Sequence, residues 1–485
     1  MKKQLTTLLT LALLAGIGFS AELPSEVTLF KNVNVFDGKS EQLMEGYDVL
    51  VVRNLIKKVA KDIPTSGTYE IDVQGKVKET QIYSCCFENY TIRTMDDAGK
   101  WTKKQVKVNV IDGEGRILMP GIIEGHNHLS LPVSPEEIFN DKDWFYVGAT
   151  GGEEARRYLL RGWTTVRDIG GPTQDLKRAI DDGVVIGPRI YTSGPFISQT
   201  SGHGDFRDSN DPNPNMGAEK SFWYQKFGFI ADGPDEVTRA VRESLRLGAV
   251  QIKMMAGGGV SSKYDPLDAV QYSLEEFRAG VKAAENWNTY VAVHAYTDRS
   301  ILVAIEAGVK VIEHGQLMSE STAKLMAEKG IWLSTQAQVL NVPEEQLSFL
   351  SPTSLKKFRM VKEGLDNQMK YAKKHGLKMA FGTDIFGSRQ NFDDTVKEFS
   401  ARLKWFTSLE ILRQATSINA ELLELTGPRN PYQEGPLGVI QEGAYADLLI
   451  VDGNPLEDIR VLEDYENNIR IIMKDGKIYK NTLAK

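Results

Sequence analysis

Between Val27 and about Leu118, short β-forming runs such as Val49-Leu50-Val51-Val52 are separated by turn signals at Asp37-Gly38 and Asp112-Gly113. This alternation predicts the strands of a small β domain. The part from Gly75 to Val110 is polar for a core and reads as an extra hairpin. Past His128 the period changes. Short apolar runs now alternate with segments of helical spacing, the pattern of a parallel sheet joined by crossover helices. The expected strands are Thr164 to Ile169, Arg189 to Ser193, Val250 to Met255, Tyr290 to His294, Val311 to His314, Trp332 to Gln336 and Met379 to Asp384. Between them, Ser273 and Glu276 form a capping box, Val237, Val241 and Leu245 share a helix face, and Gly248 and Gly376 stand where helices stop. With the run from Met119 to His128 the strands number eight, and eight βα units over roughly 300 residues is the size of a (β/α)8 TIM barrel.

Gly438 to Pro455 returns to a β pattern, including Ala446-Asp447-Leu448-Leu449-Ile450-Val451. With no core of its own, it most simply completes the N-terminal β domain. The predicted fold class is therefore α/β, with a TIM barrel over 118–430 and a small β-sandwich domain built from both chain ends, 21–117 and 431–485.

Composition changes this picture little. The 485 residues, 41% of them hydrophobic, suffice for a large core. Met1-Lys2-Lys3, the apolar stretch from Leu8 to Phe19 and the small residues around Gly18-Phe19-Ser20 form the pattern of a secretory signal peptide over 1–20, with an uncleaved anchor as the alternative. The expected location is periplasmic or secreted. No later run reaches the ~20 apolar residues of a membrane-spanning helix. Removing the two positive charges Lys2 and Lys3 takes the formal charge from -7 to -9, and no Lys/Arg block is long enough to follow a phosphate backbone, so nucleic acid is not an expected partner. The only cysteines, Cys85 and Cys86, are adjacent and cannot easily reach disulfide geometry. A disulfide scaffold is set aside, and a cysteine-based zinc or nucleophile site is disfavoured.

Barrel enzymes carry their chemistry at the C-terminal ends of the strands. His126 and His128 end the first expected strand, and their i, i+2 spacing turns both imidazoles to one face. Lys253 lies in the fourth, His294 ends the fifth, His314 the sixth and Asp384 the eighth, so four of the six histidines sit at strand ends. Imidazole and carboxylate side chains are the usual ligands of zinc. Lys253, in the apolar run Ile252-Lys253-Met254-Met255, is costly to bury as a cation; a lysine that snorkels or pairs with a barrel carboxylate is the ordinary reading.

In this order of motifs, from Pro120-Gly121 through His-x-His, Lys, His, His and Asp, the chain resembles the amidohydrolase superfamily of metal-dependent hydrolases. The resemblance implies two divalent metal ions, most simply Zn2+: His126, His128 and Asp384 on one, His294 and His314 on the other, with Lys253 as a bridging N6-carboxylysine. Ser201-Gly202-His203-Gly204-Asp205 and Met254-Met255-Ala256-Gly257-Gly258-Gly259-Val260 are similar to the prolidase-like and carboxypeptidase-like branch, which cleaves amide bonds to amino acids. That likeness implies a dipeptide or N-acyl amino acid substrate attacked by a metal-bridging hydroxide, with Asp384 moving the proton, His203 polarising the scissile carbonyl and Tyr296 touching the substrate. Arg167 is a candidate for holding a substrate carboxylate; the alternative is a salt bridge to Asp168 or another carboxylate of the mouth. Rival readings are hydrolysis of a cyclic amide, lactone or phosphotriester, a deaminase, and a barrel that has become a non-catalytic scaffold. Phe196 to Gly233 is long for a loop and is expected to be a substrate lid or a homo-oligomer contact.

Overall fold

The computed structural model describes residues 27–71, 77–79, 89–95, 98–133, 137–138, 141–217, 226–347 and 350–483. The expected signal segment, Cys85, Cys86 and the aromatic run Phe222-Trp223-Tyr224 lie outside them.

The barrel strands follow one another in parallel: Ile122–Asn127, Trp163–Asp168, Arg189–Thr192, Ile252–Met255, Val291–Thr297, Val311–Leu317, Trp332–Thr335 and Met379–Phe381. The third strand is interrupted at Gly194, whose φ of +66° suits glycine, and resumes as Phe196–Ser198, which pairs with the fourth at Ile197 and Met254. The stretch expected to be one long loop after it instead holds a second short strand, Gly228–Ile230, parallel to Phe196–Ser198. Pairing across that distance leaves no local signature in the sequence. Helices cover the barrel through their apolar stripes: Pro234–Arg246 buries Val237, Val241 and Leu245, and Leu274–Glu285 opens with the expected capping box of Ser273 and Glu276.

The seam between the eighth and first strands is closed by a side chain. Asn419, fully buried, accepts from Phe381 N at 3.0 Å and donates from Nδ2 to Ile123 O and Phe381 O, both at 2.7 Å. Asp384 N adds a bond to His126 O at 2.9 Å. The first strand and the three-residue eighth strand are thus tied together by the Asn419 amide and one main-chain bond.

Both chain ends contribute to a single eight-stranded sheet. Its order runs Lys477–Asn481, Ile469–Lys474, Leu448–Val451, Ile117–Pro120, Val27–Val35, Met44–Val52 and Leu55–Ala60, with Asn109–Asp112 also beside Val27–Val35. The N- and C-terminal parts join where Leu449 faces Met119 and Ile450 faces Leu118 in antiparallel register. Gly75 to Val110 is more than a hairpin: Gly67–Ile71, Val77–Glu79, Asn89–Met95 and Trp101–Lys107 make a four-stranded sheet. Its Tyr69, Tyr90 and Ile92 pack on Val27, Leu29, Leu50 and Val52.

Sheet and barrel are clasped by buried charge. Arg189 bonds Asp447 at 2.9 Å and Asp475 at 2.7 Å beneath the Tyr445 ring, and Lys474 Nζ donates to Gly187 O at 2.8 Å. Among the described residues no helix is long and apolar enough to cross a membrane.

Candidate active site

Where the first barrel strand ends, His126 and His128 turn to the same side as expected, and the chain after the eighth strand brings Asp384 between them. Asp384 Oδ1 lies 3.3 Å from His126 Nε2 and 3.2 Å from His128 Nε2. Among the described residues these three form the group of imidazole and carboxylate donors lying within 4.8 Å of one another. His126 Nε2 is buried with no hydrogen-bond partner. An orphaned imidazole nitrogen beside a second imidazole and a carboxylate is a donor set that suits a divalent transition metal. Burial alone would pull the His128 imidazole down, but the Asp384 carboxylate outweighs it and holds it above its ordinary value. Burial would likewise raise the Asp384 carboxyl, and His126 and His128 hold it well below its ordinary value. Asp384 also has a φ of +53° and His314 one of +77°. Such left-handed backbone at non-glycine residues costs on the order of 1 to 3 kcal/mol and concentrates at working sites.

Each histidine of this group is oriented from behind. His128 Nδ1 is 2.8 Å from Gly170 O. His126 Nδ1 is 2.8 Å from Glu313 Oε2, whose other oxygen accepts from Arg167 at 2.8 Å. Arg167 is fully buried, and it also donates from Nη1 to Gly125 O at 2.8 Å and from Nε to Tyr290 Oη at 2.9 Å. The expectation that Arg167 meets a substrate carboxylate is therefore corrected: its guanidinium lies beneath the mouth and is consumed by Glu313, the salt-bridge alternative with a different partner. Burial would raise the Glu313 carboxyl, but Arg167 and His126 keep it ionised, well below its ordinary range.

The other rings gather beside this group. His314 stands 5.1 Å from His126 and 4.5 Å from His294 between ring centroids, with its Nδ1 on Gln336 Oε1 at 2.9 Å and 3.8 Å from Asp384 Oδ2. His294 directs Nε2 at Gly258 O, 3.1 Å away. His203 stacks on His294 at 4.1 Å, and Tyr296 meets His294 edge-on at 4.8 Å. Burial pulls His203 down to about 4 and His314 down to about 3, so both are neutral imidazoles at neutral pH. Burial also pushes the Tyr296 hydroxyl up. Lys253 is 2% exposed and pairs with Ala292 in the strand ladder. Burial lowers it to about 8, partly offset by the charges of Glu313 and Asp384.

The sequence reading missed Glu313, Gln336 and Ser262. Glu313 had the same signal that singled out Lys253, a charge inside an apolar run, Val311-Ile312-Glu313-His314. Strand alternation assigns neighbours 313 and 314 to opposite faces, yet both approach His126. The left-handed backbone of His314 is where the pleat breaks.

The chain is similar to several characterised and solved proteins. The curated ochratoxinase of Aspergillus niger is 32% identical over 380 residues, spanning 75% of this chain and 76% of its own. A crystal structure of a prolidase complexed with N-methylphosphonate-L-proline matches with a TM-score of 0.78 and 32% identity, covering 94% of this chain and all of the other. A Xaa-Pro dipeptidase with methionine bound in its active site matches at 0.73 and 27%, with 94% and 100% covered. The profile of the Amidohydrolase family spans residues 117–479, from the strand that leads into the barrel to the last strand of the shared sheet. With His126, His128 and Asp384 inside that span, the chain belongs to the amidohydrolase family, hydrolases that act on carbon–nitrogen bonds.

Proposed function

We propose that the chain is an exported amidohydrolase with two divalent metal ions, zinc by its ligand set, that cleaves the amide bond of a dipeptide or an N-acyl amino acid. The observation that carries this reading is the convergence of His126, His128 and Asp384 on one point of the barrel rim. The names of the similar prolidase and Xaa-Pro dipeptidase support a substrate built from amino acids. The signal-like segment over 1–20 supports a periplasmic or secreted protein. The same reading divides the chain into a barrel over 118–430 and a β-sandwich made from 21–117 and 431–485.

In this reading His126, His128 and Asp384 would hold one ion and His294 and His314 the other, with Lys253, as N6-carboxylysine, supplying a carboxylate to the pair. Carbon dioxide adds to a neutral amine, and burial, by bringing Lys253 down to about 8, makes that form accessible near neutral pH. When bound, such a pair of ions supplies Lewis acidity and lowers the pKa of water. Asp384 takes the proton released on attack and returns one to the leaving nitrogen. His203 donates from Nε2 to the scissile carbonyl oxygen as negative charge grows there, and Tyr296 contacts the substrate beside it.

The test is a panel of dipeptides and N-acyl amino acids offered to the zinc-loaded protein before and after chelation. Turnover that disappears with the metal and returns on its addition is expected, together with the mass of a carbamate at Lys253 in native mass spectrometry. Turnover that survives chelation, or that appears with lactones or phosphotriesters and with no amide, overturns the reading.

A further inference from the structure

One group outside the metal-facing set is fully engaged in the loop that follows the fourth barrel strand. Lys357 lies in the helix Pro352–His375 and is 7% exposed. Its Nζ donates to three main-chain carbonyls of that loop: Gly259 O at 2.9 Å, Ser262 O at 2.9 Å and Asp265 O at 2.6 Å. Burying an ammonium is expensive unless every donor is used. Here all three are, on partners more than ninety residues away in sequence.

The same loop cradles His203. Ser262 Oγ lies 2.8 Å from His203 Nδ1 and 3.3 Å from Gly259 O. Gln271 Oε1 accepts from His203 N at 2.9 Å, and Gln271 Nε2 donates to Asp265 Oδ2 at 3.2 Å. The imidazole lies so close to Gly259 that a Cβ there would stand 1.8 Å from Nδ1. With His294 stacked at 4.1 Å as well, the ring has little freedom to rotate.

A neutral imidazole carries its proton on one nitrogen, and the partner of the other decides which. Ser262 has one hydroxyl hydrogen and two acceptors within reach, His203 Nδ1 and Gly259 O. If that hydrogen went to Gly259 O, Nδ1 would have to carry the imidazole proton and Nε2 would be a lone pair, unable to donate to a carbonyl oxygen. The nearest carboxylate oxygen, Asp265 Oδ2, is 3.9 Å from Nδ1, beyond hydrogen-bond reach, and accepts from Gly259 N and Gln271 Nε2 instead. Lys357 already makes a charge-assisted bond to Gly259 O, which weakens that carbonyl as an acceptor for Ser262 and leaves Nδ1 as the nearer target. We propose that Lys357 and Ser262 are positioning residues that fix His203 as its Nε2–H tautomer, the form that can polarise a scissile carbonyl. The inference deepens the amide-hydrolase reading and rests on it for the role of His203, but the tautomer itself can be observed without any substrate.

The experiment uses the zinc-loaded full chain labelled with 15N-histidine, with the His203 resonances assigned by loss in His203→Gln. Wild type is expected to show a protonated Nε2 and an unprotonated Nδ1. Ser262→Ala and Lys357→Met are expected to shift His203 toward the Nδ1–H form or a mixture, and Ser262→Thr, which keeps the hydroxyl, to restore the wild-type signature. On an amide substrate, Ser262→Ala should lower kcat by about tenfold with KM changed far less, since it removes an interaction strongest in the transition state. Combined with His203→Gln, neither substitution should lower kcat further, because both act through that ring. A wild-type His203 protonated on Nδ1, or a tautomer indifferent to both substitutions, overturns the proposal whatever the kinetics. A protein with the expected tautomer that cleaves no amide leaves the tautomer device standing and removes the amide-hydrolase reading instead.

Discussion

His126 and Glu313 come from strands 187 residues apart and meet with Nδ1 and Oε2 at 2.8 Å, both side chains out of reach of water. With its Nδ1 side against this carboxylate, the ring turns Nε2 toward Asp384 Oδ1, 3.3 Å away. The carboxylate is itself held by Arg167, so the orientation of the His126 ring is traceable through two buried side chains. Glu313→Gln keeps the shape and removes the charge. It is expected to weaken zinc retention by about 10- to 100-fold, measured by competition with a chelating dye, while the fold persists by circular dichroism.

Asp384 is asked to be both a ligand and the group that moves the proton. Asp384→Asn retains its size and loses its basicity, and should lower kcat by about a thousandfold, within the range that positioned acid–base groups supply. Steady-state kinetics at saturating zinc is the measurement, and near wild-type kcat would remove Asp384 from the proton path.

Gly259 separates packing from chemistry. Gly259→Ala places a methyl group 1.8 Å from His203 Nδ1, so the ring must move, and a displacement of about 1 Å costs on the order of 10²-fold in rate. At least one zinc per chain, read by elemental analysis, should be retained, because the Cβ at Gly259 meets His203 and none of His126, His128 and Asp384.

Asn419 bears on stability alone. Asn419→Ala leaves Phe381 N, Phe381 O and Ile123 O without their buried partner. An unsatisfied buried group costs about 1 to 3 kcal/mol, and partial relaxation of the seam makes about 3 kcal/mol the expected total. Chemical unfolding of wild type and variant, read by tryptophan fluorescence, measures it.

Lys474, at the clasp between sheet and barrel, gives a pH test away from the metal-facing group. Burial lowers its ammonium to about 8 from the ordinary 10.5. Between those values the unfolded chain binds the proton that the folded chain has released, so this group makes stability rise with pH through the window from about 8 to 10.5. Below 8 both states are protonated and the burial penalty is constant. Relative to Lys474→Met, wild type should therefore gain up to about 3 kcal/mol across that window, seen as a change in the difference between their unfolding midpoints. A difference that stays flat would mean that the ammonium is solvated after all.

How far the sequence could be read follows from the reach of its signals. Barrel strands and helices announce themselves locally, and Ser273 with Glu276, or Val237 with Val241 and Leu245, needed only a few neighbouring residues. His126 and His128 were legible for the same reason. Arg167 was misread because its position near a strand end says nothing about Glu313, a partner 146 residues on that neutralises it. The pairing of Phe196–Ser198 with Gly228–Ile230, and of Gly67–Ile71 with Asn89–Met95, is likewise non-local and parallel, which no turn motif advertises. His314 broke the alternation rule through one backbone angle that its residue type gives no reason to expect.

The strand Leu448–Val451 pairs with Ile117–Pro120 only after nearly the whole barrel has been synthesised. Until it emerges from the ribosome, the N-terminal strands present an open edge with no place to dock, and the first barrel strand hangs from that unfinished sheet through Gly121. Assembly of the sheet is thus a late event in the life of the nascent chain, and a polypeptide cut short before Leu448 loses the support at its beginning as well as the piece at its end.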